Sequence, residues 1–200
     1  MALQPDLPLV EVTKRAEWRA WLDAHQEQPT GVWVVTRKRD SLGPGAEFVS
    51  ARDLNEECLC FGWIDSRPAK VDAHRSALLC TPRKPRSGWS KVNKDRLEHL
   101  LAAGLVAPRG EALIAAAKAD GSWSKLDEVD SLVEPADLVV ALEAAGPARR
   151  HWNAFPPSTR RGILEWILSA KRTETRATRV AETARLAALN ERANQWPRRT

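Results

Sequence analysis

The chain has 200 residues, 43% apolar and 28% charged, with a formal net charge of +5. That length buries a real core in one or two units, the composition is that of a folded soluble protein rather than a disordered one, and no run approaches the ~18 apolar residues of a membrane span. The charge balance suits nucleic acid, an anionic lipid or an acidic small ligand, and suits an ordinary soluble protein equally well.

Residues 1–12 read as an extended lead-in. They lack the basic start and apolar stretch of a secretion signal. Thr13 is positioned to cap a helix over 14–27 that carries Trp18, Trp21, Leu22 and His25 on one side. Pro29, Thr30 and Gly31 end it, and the run Val32–Trp33–Val34–Val35–Thr36 has strand chemistry. A loop with Gly43, Pro44 and Gly45 leads to Ser50, which caps a helix with Asp53 as the partner of a capping box. Ala51, Leu54, Cys58 and Phe61 share that helix's inner face, and Gly62 ends it. Residues 63–67 start a strand or turn, and Pro68 argues against a central place in a sheet. A second strand covers 74–81, after which Pro82 and Pro85 impose irregular backbone.

Ser90 caps a helix near 91–103 with Leu97, Leu100 and Leu101 inward, and Pro108 opens another with Leu113, Ile114 and Ala117 inward. Residues 122–137 read as a polar linker with its apolar residues tucked in. From 135 onward the pattern is helical only: roughly 136–145, 147–154, a helix capped by Ser158 with Ile163, Trp166, Ile167 and Ala170 inward, and a last one from Thr173. The tail from residue 190 looks frayed. The expected fold is α+β: a strand-containing part packed with helices over 1–134, then an all-helical part over 135–200.

Nine Trp with no Tyr is unusual usage, and most of the Trp are expected to fill the core. Cys58, Cys60 and Cys80 make no disulfide framework and fit a reducing, cytoplasmic setting. The four His show no zinc-ligand spacing, and nothing calls for a metal or another cofactor.

Several blocks in one order carry a family resemblance. CFGWIDS (60–66), TPRKPRSGWSKVNKDR (81–96), the Gly104…Pro108-Arg109-Gly110 turn and SAKRTETRATRVAET (169–183) together resemble the YdeI/OmpD-associated family, also called bacteriocin-protection proteins. The likeness runs along nearly the whole chain. It implies a small soluble bacterial protein with an α+β front part and a helical C-terminal part, tied by name to resistance against bacteriocins or cationic peptides. The chain departs from the family pattern at Cys80, where Phe is common, and at Val106, where Met is common.

The richest candidate site is the basic block. Residues 75–96 hold seven bases against Asp95 alone, with Trp89 among them. Arg83, Lys84 and Arg86 precede Trp89; Ser90, Lys91 and Asn93 follow it. A helix starting at Ser90 turns free N–H groups toward an anion, an Arg grips carboxylate or phosphate with two parallel bonds, and Trp89 offers a stacking face. Trp63, Asp65 and Arg67, alternating on a strand, would share one face, from which Asp65 could orient an Arg. These ten residues form the expected site for an anionic small molecule or protein partner.

Alternatives stay open. The block is also readable as a solvated loop anchored by a buried Trp89, or as an ion-pair surface against the acidic 120–137 stretch. Nucleic acid is a further reading, with Lys171, Arg172, Arg176, Arg179 and Arg185 adding charge, although no binding-motif signature accompanies them. Catalysis is another. It has no phosphate-loop, zinc-protease or serine-hydrolase motif, and Asp72 with His74 makes an acid–base pair lacking a nucleophile. The sequence assigns no oligomeric state.

Overall fold

The computed structural model describes residues 3, 4 and 6–194, and the expected frayed tail lies outside them from residue 195 on. The chain divides into two units, Met1–Ser124 and Lys125–Thr200. The first is built in the order β1 (Leu9–Glu11), α1 (Arg15–Ala24), β2 (Val32–Arg37), α2 (Ala51–Cys60), β3 (Trp63–Lys70), β4 (Arg75–Pro82), α3 (Lys91–Ala102) and α4 (Pro108–Ala119). The second carries α5 (Asp127–Asp130), α6 (Ala136–Ala144), α7 (Ala148–Ala154), α8 (Pro157–Leu168) and α9 (Thr173–Ala188). The fold is α+β, with the sheet confined to the first unit.

The sheet order is β1-β2-β4-β3, with β1 parallel to β2 and the other pairings antiparallel. Pro68 is accommodated because β3 is an edge strand, where a missing N–H breaks no ladder. Side chains alternate as a two-faced sheet requires. Val32, Val34, Leu78, Cys80 and Trp63 enter the main core with Trp18, Leu22, Leu54, Leu59 and Leu97. Trp33, Val35, Ala77, Leu79 and Ala69 form a smaller cluster on the other face, packed against Leu3, Leu7 and Val71.

Local signals explain the helices. Ser50 and Asp53 close a reciprocal box at the start of α2: Asp53 N–H donates to Ser50 Oγ at 3.1 Å, and Ser50 N–H to Asp53 Oδ2 at 2.8 Å. Such a cap contributes about 1 kcal/mol. On the same helix Glu57 is buried between Arg15 Nε at 2.6 Å and Arg19 Nη1 at 2.8 Å. Trp18 Nε1 donates to Leu54 O at 3.2 Å, tying α1 to α2.

Two glycines bring α4 against the end of α2. A Cβ at Gly110 would sit 2.3 Å from Cys60 O, and one at Gly62 would sit 2.2 Å from Leu113 Cδ1. Ala107 N–H donates to Cys60 O at 2.9 Å in the space this leaves. The N-terminal half of α4 is thereby fixed against the end of α2, which sets the direction in which its C-terminal half runs.

The second unit is a helical bundle around Leu138, Leu142, Trp152, Ile163, Ile167 and Val180. Three of its acids have arginine partners within the unit: Asp130 with Arg161 at 2.7 Å, Glu134 with Arg149 at 2.6 Å, and Asp137 with Arg176 at 2.8 Å. Two local expectations are corrected here. Ser158 is not a cap, because Pro157 takes the first helical position, where its missing N–H is no loss. The 122–137 linker contains the short helix α5, which buries Val129.

Candidate functional site: a buried arginine beneath a cationic turn

After β4 the chain makes a tight turn, with Ser87 N–H donating to Lys84 O at 3.2 Å. Pro85 supplies the fixed φ of the turn's second position, and Arg86 occupies the third at φ 59°, a place that favours glycine. The strain is local and sits beside the charged cluster. Lys84 and Arg86 are exposed.

Arg83 behaves differently. It is 7% exposed, and its guanidinium lies 3.6 Å from the centre of the Trp89 ring. Nη2 donates to Gly88 O at 2.7 Å. Nε and Nη1 are buried with no hydrogen-bond partner. Burial brings this guanidinium down to about 10, with no carboxylate opposing the effect. A desolvated cation ordinarily requires a paired acid or full hydrogen bonding.

Beside it lies a cavity of about 160 Å³. Arg83, Lys84, Arg86, Ser87 and Trp89 form one wall; Leu113, Ala116, Ala117, Asp120 and Ser122, from α4 and its end, form the other. Arg83 lines this cavity, and its two unpartnered nitrogens are sealed from solvent.

Of the ten expected residues, Arg83, Lys84, Arg86 and Trp89 line this cavity. Trp89 is 2% exposed, with Arg83 over its ring and Trp123 tilted against it at 5.2 Å, so it presents no open stacking face. Ser90 is the N-cap of α3 without a side-chain cap bond, and Lys91 Nζ reaches Asp95 Oδ1 at 3.0 Å. Neither lines the cavity, and nor does Asn93.

Trp63, Asp65 and Arg67 do not share one environment. Trp63 is fully enclosed, edge-on to Trp18 and Trp21 at 6.4 and 5.7 Å. A register shift between Asp65 and Pro68 breaks the alternation, and Arg67 is exposed on the edge strand. Asp65 accepts from Asn55 Nδ2 rather than orienting an arginine of the basic loop. Asn55 also donates to Asn93 Oδ1 at 3.3 Å and accepts from Arg96 Nη1, so Asp65 and Asn93 belong to one buried polar network linking α2, β3 and α3.

Leu113, Asp120 and Ser122 were absent from the sequence reading of the site, as was Asn55, while Arg96 was read only as part of the basic block. For the cavity wall, the signal was the glycine pair: Gly62 and Gly110 mark where α4 comes close. The other chemistries find little geometry. Asp72 is a turn residue accepting from His74 N–H at 2.8 Å and Arg75 N–H at 2.7 Å, with the His74 side chain exposed. Burial pushes the Cys58 and Cys60 thiols up, away from the reactive thiolate. Arg176 is gripped by both oxygens of Asp137, and Arg179 donates to Ser169 Oγ at 2.8 Å while lying 4.9 Å from the Trp166 ring centre. Among the described residues no His, Cys, Asp and Glu cluster is arranged to hold a metal ion, and no helix is long and apolar enough to cross a membrane.

Two family models match the chain. Residues 10–113 match a domain of unknown function (DUF8412), and residues 131–190 match the family described as Bacteriocin-protection, YdeI or OmpD-Associated. No curated protein and no solved structure matches it. The resemblance read along the sequence therefore divides: CFGWIDS, the basic block and the Gly104–Gly110 turn fall in the first match, and the SAKRTETRATRVAET helix falls in the second. The first match spans just over half of the chain, so the chain belongs to the DUF8412 family, and its helical unit carries a bacteriocin-protection, YdeI or OmpD-associated domain.

Proposed function

We propose that this is a non-enzymatic binding protein whose first unit takes a small anionic ligand at Arg83. The observation that carries the reading is a guanidinium 7% exposed, with two nitrogens unpartnered and no acid beside it, at the wall of a cavity. Each buried donor without a partner costs about 1–3 kcal/mol. An anion supplying two acceptors recovers that energy on binding, once the Lys84–Ser87 turn opens to admit it. Lys84 and Arg86 above the site draw an anion in, and Trp89 holds the Arg83 plane rather than the ligand.

Any link to bacteriocin resistance is indirect on this reading, because a cationic site repels cationic peptides. Three free buried thiols agree with action in the reducing cytoplasm.

The test is a titration of the full chain with sodium propionate and with inorganic phosphate, followed by amide chemical shifts. Saturable shifts at Lys84–Trp89 for either anion are expected, and their loss in an Arg83→Met/Arg86→Ala pair. Equal affinity in the native and substituted chains removes the assignment.

A further inference from the structure

Resting on that reading, the structure assigns the cavity beside Arg83 to a small zwitterion of the amino-acid type. Its carboxylate meets the Arg83 guanidinium and its ammonium group lies toward Asp120. The two walls differ in sign. One brings Arg83, Lys84 and Arg86. The other is the C-terminal end of α4, a twelve-residue helix whose last turn and cap, Ala116, Ala117 and Asp120, line the cavity. Carbonyl groups converge at a helix C-terminus and favour a cation there.

Asp120 strengthens that end. Its Oδ1 accepts the Ser122 N–H at 2.9 Å, and hydrogen bonding from Ser122 together with the nearby Arg86 charge holds its carboxyl below the usual range. It is thus ionised at neutral pH. A second negative charge on a ligand would face this carboxylate, whereas an ammonium group complements it. Between the two ends the wall is apolar and shallow, made by Leu113, Ala116 and Ala117. A volume of about 160 Å³ suits a molecule with a short carbon body better than a nucleotide.

The experiment compares L-alanine, propionate and inorganic phosphate on the full chain by isothermal titration calorimetry, then repeats the series with Asp120→Asn. Asparagine keeps the acceptor for Ser122 N–H and removes the charge. Alanine is expected to bind more tightly than propionate, by up to about fivefold, the worth of one partly screened charge pair, and the gap closes in Asp120→Asn. If propionate or phosphate binds the native chain as tightly as alanine, the zwitterion assignment falls and anion binding at Arg83 stands. If none of the three binds, both fall. The comparison on the native chain decides between these outcomes even where the variant fails to fold.

Discussion

Replacing Arg83 with methionine separates a binding arginine from a structural one. A guanidinium brought down to about 10 by burial carries roughly 3 kcal/mol of lost solvation. Against this stand one charge-assisted hydrogen bond to Gly88 O, worth about 2 kcal/mol, and the contact with Trp89, worth about 1 kcal/mol. The terms nearly cancel. Methionine refills much of the volume without a charge, so Arg83→Met is expected to leave the unfolding free energy of the first unit unchanged or raised by about 1 kcal/mol. A buried arginine held by an acid loses about 3–5 kcal/mol when that pairing is broken. The assay is urea denaturation followed by amide resonances of residues 10–120, urea being chosen because guanidinium competes for the same acceptors. A loss above about 2 kcal/mol would refute the reasoning and make Arg83 a structural clamp.

Three further outcomes follow from the same geometry. Glu57→Ala removes the acid shared by Arg15 and Arg19, but both arginines are partly exposed and Arg15 keeps Glu56 and Asp53, so the first unit is expected to lose about 1–2 kcal/mol in urea. Gly110→Ala drives a Cβ into Cys60 O, 2.3 Å away, and is expected to cost about 2 kcal/mol or more, because α4 must move off α2; thermal unfolding and the amide shifts of Leu113–Asp120 read both effects. The Arg75 side chain and the His74 and Arg75 N–H groups bring the Asp72 carboxyl down to about 2. A carboxylate lowered on folding stabilises above its ordinary value and loses that contribution as pH falls. The β3–β4 turn is therefore expected to hold at neutral pH and to loosen between roughly pH 4 and pH 2, read from the pH dependence of the His74 and Arg75 amide shifts.

Much of the fold was legible because its signals are local. The Ser50–Asp53 box, Pro108 at a first helical position and the β-branched and aromatic run Val32–Thr36 each place an element without reference to distant residues. Pro68 announced an edge strand for the same reason. The losses are non-local. Three residues at Leu9–Glu11 carry too little pattern to reveal a parallel partner for β2. The hydrogen bond from Asn55 to Asp65 joins a helix to a strand that composition does not connect, and the bulge after Asp65 turned an expected shared face into separate environments. At the candidate site the basic block was conspicuous, whereas the burial of Arg83 against Trp89 was not: charge counts do not say which cation is withdrawn from water. The opposite wall depended on α4 approaching through Gly62 and Gly110, whose meaning emerges only when the helix is in place.

The most direct measurement is the Arg83 side-chain Nε–H resonance, followed by nitrogen-15 NMR while a carboxylate is added to the full chain. Docking at the guanidinium predicts a saturable downfield shift of that proton and slower exchange with water, with little change at Arg67 or Arg96. An Arg83 signal that stays fixed while the exposed arginines drift together would contradict it, leaving a buried cation that stacks on Trp89 and binds nothing.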